Sequence, residues 1–278
     1  MPHPAPHQIT PSSAPKGVAP RAIGRVNWLG LWTLYQKEVR RFLKVFVQTV
    51  AAPMVTSLLF LLVFTLALGR GDMVIGGVPY SEFLAPGLIM MAIAQNAFAN
   101  TSSSLVVAKV QGNIVDTLMP PLGPAELTAG YALGGVTRGL AVGCSTLLAM
   151  WLFVPVSVAH PAYVLFHALS AALLLSLLGI IGGIWADKFD HIAAVTNFVI
   201  VPLTFLSGTF YSTERLPGIW YELAHVNPFF FMIDGFRYGF IDHADAPPLV
   251  GIAVMTGCNL VLLAISYAML KSGYKLKA

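Results

Sequence analysis

The 278-residue sequence predicts an all-α membrane protein that crosses the bilayer six times, and three observations carry that reading. Only 10% of the residues are charged and 56% are hydrophobic, too little polar surface to clothe a soluble domain of this size. Six stretches, at about 47–68, 84–106, 128–154, 163–185, 192–211 and 248–270, are apolar over the roughly 20 residues a helix needs to cross hydrocarbon. Arg138 is the one Asp, Glu, Lys or Arg inside them, and none alternates polar with apolar as a lipid-facing barrel strand does.

The formal charge of +4 is a signature of topology, and no nucleic-acid partner is implied. Of the 16 Lys and Arg, 12 fall in segments on the side of the two termini, against Arg70, Arg215 and Arg237 on the other side. The positive-inside rule therefore places both termini in the cytoplasm. Cys144 and Cys258 both lie inside spans, where packing is the expected role and a disulfide framework is not.

Residues 1–24 hold six prolines and no apolar core, and read as a disordered cytoplasmic tail. From Val26 to Phe46, a helical period gathers Trp28, Leu31, Trp32, Tyr35, Val39, Phe42, Leu43 and Phe46 on one face. Lys37, Arg40, Arg41 and Lys44 gather on the opposite face. Such a helix is expected to lie in the inner interface, its cations toward anionic headgroups. A short polar loop at about 69–83 follows the first span. In the second span Asn96, Asn100 and Ser103 or Ser104 recur at helical spacing, a stripe suited either to a polar path or to holding helices together.

Between spans two and three stands "KVQGNIVDTLMPPLGP", from Lys109 through Gln111 and Gly112 to the break at Pro120-Pro121. Val110, Ile114 and Leu118 form a short apolar stripe, expected on a brief cytoplasmic helix that docks a soluble partner or lies on the bilayer. Arg138, expected in the cytoplasmic third of span three, would snorkel or line a polar path. Pro202 is expected to kink span five.

Within the segment 212–247, the apolar stretch from Asn227 to Phe240 is too short to cross a bilayer. Ser212 or Thr213 can cap a short helix around "LPGIWYELA", and Asn227-Pro228 is a cap-then-first-turn pair for a second helix of about fourteen residues. In that helix Asp234 and Arg237 stand three apart and can pair, while Gly235 and Gly239 form a strip that another backbone can approach. The pair of helices reads as a hairpin that dips into the outer leaflet and returns, which needs neighbouring spans to cover it.

Chemistry is sparse. The 278 residues contain no phosphate-binding G-x-x-x-x-G-K-[ST] loop, no H-E-x-x-H and no clustered His and Cys, so no catalytic residue, metal or nucleotide is assigned to them. An intramembrane hydrolase would have to use Ser207 with His167. An ion-coupled transporter or channel would have to work without a carboxylate in any span.

The order of elements resembles the membrane permeases of type-2 ABC exporters. The match is most specific from Leu206 to Phe240, in Gly208, Phe210, Tyr211, Leu216, Pro217, Asn227, Pro228, Gly235, Phe236 and Arg237. It is similar above all to the branch of Nod-factor export and YadH-like permeases, over about residues 25–270. The resemblance implies a pair of identical permease subunits served by two ATP-binding subunits that hold ATP and Mg. It implies that residues 109–121 are the coupling loop, that the N-terminal helix is an elbow also meeting the ATPase, and that 212–247 closes the pathway outside. Spans one and five would form much of the contact between permease subunits. Glycans, lipids, lipo-oligosaccharides, drugs and peptides are the family's cargoes, and Asn96, Asn100, Ser103, Arg138 and Tyr211 are the pathway candidates. Where the family's coupling loop often opens with a Glu-Arg pair, this chain has Ala108-Lys109.

Overall fold

The computed structural model describes residues 24–68 and 73–276. The expected tail, Arg70, Lys277 and part of the first loop lie outside them. Six helices are long and apolar enough to cross a membrane: Val47–Leu68, Tyr80–Val110, Pro124–Trp151, Pro161–Trp185, Phe189–Leu206 and Pro248–Ser272. They are called spans one to six below.

Span two is the centre of the bundle. It is buried along most of its length, between spans three and four. Its 31 residues make it about 46 Å long at 1.5 Å per residue, so both of its ends project past the hydrocarbon. Small residues let the neighbours close on it. A Cβ on Gly179 of span four would fall 2.6 Å from the Phe98 carbonyl oxygen. Spans one, five and six sit at the periphery, with most of their side chains outside the packed interior.

Spans one and five share an irregularity. Each carries a five-residue π-helical segment, Val47–Ala51 and Thr196–Ile200, and each segment ends two residues before a proline, Pro53 and Pro202. A proline has no N–H to donate and its ring collides with the carbonyl four residues back, so the wider turn relieves both problems. The disturbance expected at Pro202 is therefore a π segment preceding the proline, with a second at Pro53. Span five ends at Leu206, short of the expected 211, because Gly208 takes a positive φ of 77° and turns the chain.

At one end of the bundle, here the basic end, lie the N-terminal helix Trp28–Leu43, the loop helix Ile114–Leu118 and the end of span six. Three span ends are tied together there. The Lys109 ammonium donates to the carbonyls of Ile184 and Ala186, each at 2.7 Å. That of Lys275 donates to the Trp185 carbonyl at 3.0 Å and to the Asp187 carboxylate at 2.9 Å. Two lysines thus satisfy carbonyls that the end of span four leaves free. The bond from Lys275 holds the Asp187 carboxyl below the usual carboxylate range, and Asp187 in turn holds the Lys275 ammonium above the usual lysine range.

At the opposite end, here the hairpin end, a two-stranded ribbon pairs Val74–Ile75 with Val78–Pro79. Ser212 caps only a 3-10 turn, Thr213–Arg215, and the first hairpin helix Ile219–Val226 starts separately after Gly218, whose φ is 51°. The second hairpin helix is Pro228–Ile241, fourteen residues capped by the Asn227 side chain, as its sequence predicts. It is buried on nearly every side, among spans two, four and six. The two glycines explain the approach: a Cβ on Gly235 would lie 2.1 Å from His167 Nε2, and one on Gly239 would lie 2.8 Å from the Val164 nitrogen. Of the cysteines, Cys258 packs partly against the core, but Cys144 is exposed on the flank of span three and its expected packing role fails.

Candidate functional site

The loop helix begins afresh after Gly112, whose φ of 74° turns the chain, so its phase does not continue from span two. This corrects the expected stripe. Ile114 and Thr117 face inward and Leu118 packs partly against the core beneath them, while Val110, Val115 and Met119 are the exposed apolar residues, Met119 at 77%. Pro120 and Pro121 end the helix, with Gln111 exposed at its other side. Lys109 is committed to capping span four and is not presented to a partner.

The N-terminal helix braces this loop from behind. Lys37 Nζ donates to Thr117 Oγ1 at 3.2 Å, the Asn27 side chain donates to the Pro121 carbonyl at 3.1 Å, and the Asn27 backbone N–H donates to the Glu126 carboxylate. Between helix and loop runs a groove of about 530 Å³, lined by residues that include Thr33, Leu34, Asp116 and Leu122.

The same helix does not present four cations to headgroups. Its buried stripe is Leu34, Glu38 and Phe42, and Glu38 is fully enclosed at 0% exposure. Glu38 accepts from Ser104 Oγ at 2.7 Å and from Arg41 at 3.1 Å. Arg41 turns inward too, donating to the Asn100 carbonyl at 2.6 Å, the Asn100 side chain at 3.0 Å and Ser103 Oγ at 3.2 Å. Gly134 on span three makes the room, since a Cβ there would fall 2.5 Å from that of Glu38. Arg40 and Lys44 remain exposed, as do Trp28 and Trp32, so outward basic and aromatic residues survive with Arg41 removed from them. Two carbonyl-directed hydrogen bonds and a carboxylate draw Arg41 in, and these outweigh the helical phase that places it outside.

The pathway candidates divide accordingly. Asn100 and Ser103 are joined to Arg41. Asn96 meets Arg138, whose guanidinium donates to Asn96 Oδ1 at 3.1 Å. Arg138 is the fifteenth residue of a 28-residue helix, so it stands at mid-span and not in the cytoplasmic third. It reaches sideways to span two, which departs from snorkelling, the first of the two alternatives expected of it. Tyr211 belongs to neither group and donates to the Leu206 carbonyl at the hairpin end, at 3.2 Å.

The hairpin-end signature is a second polar cluster, and it corrects a pairing. Asp234 and Arg237 form no contact ion pair. Asp234 accepts the backbone N–H groups of Asp245 and Ala246, at 2.8 and 3.1 Å. Arg237, only 1% exposed, donates to the carbonyls of Gly208 and Phe83, at 2.6 and 3.3 Å, with its guanidinium 3.8 Å from the centre of the Phe83 ring. Helical spacing permits the Asp–Arg pair, but unpaired backbone groups of the closing turns lie nearer and need partners more. Asp245 completes the latch, accepting from Ser212, from the Thr213 N–H and hydroxyl, and from His243. Asn227 adds bonds to the Leu203 carbonyl and Ser207 Oγ, and Phe210 stacks on Phe64 at 4.4 Å between centroids. Ser207 is thereby tied to Leu203 and Asn227, whereas His167 lies against Tyr163 and Gly235, so no nucleophile–base bond links them.

Two participants escaped the sequence reading. Glu38 was findable, because it falls midway between Leu34 and Phe42 on a strict four-residue repeat. Asp245 was not, since its partners at 212 and 213 lie more than thirty residues back along the chain.

Comparison with known proteins places this geometry. A family model described as "ABC-2 type transporter" matches residues 30–241. The chain is 38% identical over 253 residues to the Inner membrane transport permease YadH of Escherichia coli K12, a match covering 90% of this chain and 98% of that protein. It is 25% identical over 271 residues to Nodulation protein J of Rhizobium leguminosarum bv. viciae, covering 92% and 98%. The chain belongs to the ABC-2 type transporter family, as a multi-pass membrane permease and transport subunit whose 278 residues contain no ATPase domain.

Proposed function

We propose that this chain is the membrane half of an ATP-driven exporter in the bacterial inner membrane, moving an amphiphilic, glycan, lipid or drug-like cargo out of the cytoplasm. Two copies of the permease pair, and two ATP-binding subunits carrying ATP and Mg dock at the basic end, which faces the cytoplasm with both termini. The excess of Lys and Arg in the segments at that end supports the orientation. The N-terminal helix lies in the inner interface through Trp28 and Trp32, with Arg40 and Lys44 toward headgroups. The hairpin helices re-enter the outer leaflet and close the path.

One observation carries the reading. Val115 and Met119 stand exposed on a short helix that Lys37, Asn27 and Glu126 hold rigid from behind. A push on that apolar pair is transmitted to the N-terminal helix, through Glu38 and Arg41 to the polar stripe of span two, and so to the bundle centre. Glu38, though a buried carboxylate, is already engaged by Arg41 and Ser104 and gives no support to ion coupling.

Gentle solubilisation of the tagged chain from its native host, followed by identification of what stays bound, tests this. Recovery of a P-loop ATPase, lost in Val115→Glu/Met119→Glu but kept in Arg40→Gln, is the expected result. A folded permease with no nucleotide-binding partner would refute it.

A further inference from the structure

The central seam, where span two meets span three and the N-terminal helix, does not balance its charge. Among the described residues its ionised groups are Glu38, Arg41 and Arg138, and Glu38 is spent on Arg41. Among the described residues Arg138 has no carboxylate within ion-pair distance. Its one hydrogen-bond partner is the neutral Asn96, whose own N–H groups are directed to the Ala92 carbonyl, and Arg138 Nε is buried with no acceptor at all. Asn100 Nδ2, one helical turn along the same stripe, is likewise a buried donor without an acceptor. A cation left without a counter-ion at mid-membrane is costly. Both spare groups are donors, so what the seam lacks is an acceptor, and the uncompensated charge of Arg138 favours a negative one.

The surroundings give that acceptor a side of entry. One turn toward the hairpin end from Arg138 and Asn96 stand Val142 and Ala92, buried together with Val50 of span one. Toward the basic end lie the polar groups of Asn100, Ser103 and Arg41. Arg138 therefore sits where the polar stripe of the seam meets an apolar plug. Arg138 is less deeply buried than Asn96 and Asn100 beside it.

We propose that Arg138, oriented by Asn96, is a binding step for the acidic group of the cargo, and that the cargo is an amphiphile carrying a phosphate, carboxylate or sulfate. The proposal rests on the export reading above and names the chemistry of what is exported. The acid replaces the missing counter-ion, and its apolar part stays against the hydrocarbon flank of span three, where Leu133 and Leu148 are exposed. Guanidinium geometry favours a forked oxyanion, which an ammonium would hold less well.

The test uses the purified permease–ATPase complex in nanodiscs of phosphatidylcholine, with two single-chain probes that share an acyl chain, lyso-phosphatidylglycerol and lyso-phosphatidylcholine. Wild type is expected to bind the anionic probe at least about tenfold more tightly than the zwitterionic one, the scale of one charge-assisted hydrogen bond. Arg138→Gln removes the preference, Arg138→Lys keeps part of it, and Arg40→Gln on the exposed face of the N-terminal helix leaves it intact. Inorganic phosphate at the same concentration competes weakly. Equal preference in wild type and Arg138→Gln overturns the proposal, as does equal loss in Arg40→Gln, which would mean surface attraction. Full competition by inorganic phosphate overturns the amphiphile. Should Arg138→Gln fail to fold, an undiminished preference in Arg138→Lys overturns the requirement for a guanidinium. ATP hydrolysis by the same preparation separates the two readings: activity without headgroup preference sinks this inference alone, and absence of any ATPase sinks the export reading.

Discussion

The hairpin end and the central seam both bury charge in a very apolar protein, and they handle it differently. At the hairpin end Asp234, Arg237 and Asp245 are each bonded to backbone groups of turns that would otherwise lack partners, and none of them has an unpartnered buried atom. In the seam Glu38 and Arg41 satisfy one another, yet Arg138 Nε and Asn100 Nδ2 remain without acceptors. A saturated cluster resists change and holds shape. An unsaturated one is poised to accept something, at a standing cost in stability. The hairpin end is thus the fixed part of the molecule, and on the binding proposal the seam is the working part.

Mutations at the two ends should separate in size and kind. Asp245→Ala leaves the Thr213 N–H and two hydroxyls without an acceptor, and should cost about 3 kcal/mol or more, seen as loss of a monodisperse peak in detergent. Gly235→Ala drives a methyl into His167 and should cost about 1–3 kcal/mol in thermal unfolding, recovered in part when His167→Ala is added. Full additivity of those two changes would mean that they do not meet. Glu38→Gln keeps size and one acceptor but deprives Arg41 of its counter-ion. A loss of about 1–2 kcal/mol is expected, with a larger proportional fall in ATP-driven transport than in stability.

The smallest effect is a pH dependence at the basic end. Asp187 is held below its ordinary range and Lys275 above its own. The stabilisation from Asp187 is present above the ordinary carboxylate range and lost as pH falls through the lowered value. That from Lys275 is present below the ordinary lysine range and lost as pH rises through the raised value. The melting temperatures of wild type and Asp187→Asn should therefore differ slightly near neutrality and converge in acid.

What was legible in the sequence was what depends on near neighbours. The six spans follow from hydropathy alone, and the second hairpin helix was readable to the residue because Asn227 and Pro228 act on the turn they begin. The loop helix stands where the sequence predicts it but faces the other way, because Gly112 resets the phase and a repeat carried across it puts Ile114 and Leu118 outward. Arg41 was assigned outward by its charge, although the Leu34–Glu38–Phe42 repeat marks the face it leans toward. The Asp234–Arg237 pairing failed for a different reason. Their competitors are backbone groups brought in by folding, such as the Gly208 carbonyl, and no local rule names them.

The central claim, that a separate ATPase drives this permease through the outward face of the loop helix, is tested most directly by site-specific photo-crosslinking. A crosslinker is placed in turn at Val115, Met119 and Ile114 in membranes that contain the partner. The account predicts adducts to an ATP-binding subunit from 115 and 119, and from 114 only links within the permease itself. Adducts from 114 with none from 115 or 119 would contradict the orientation of the loop helix and with it the route of coupling.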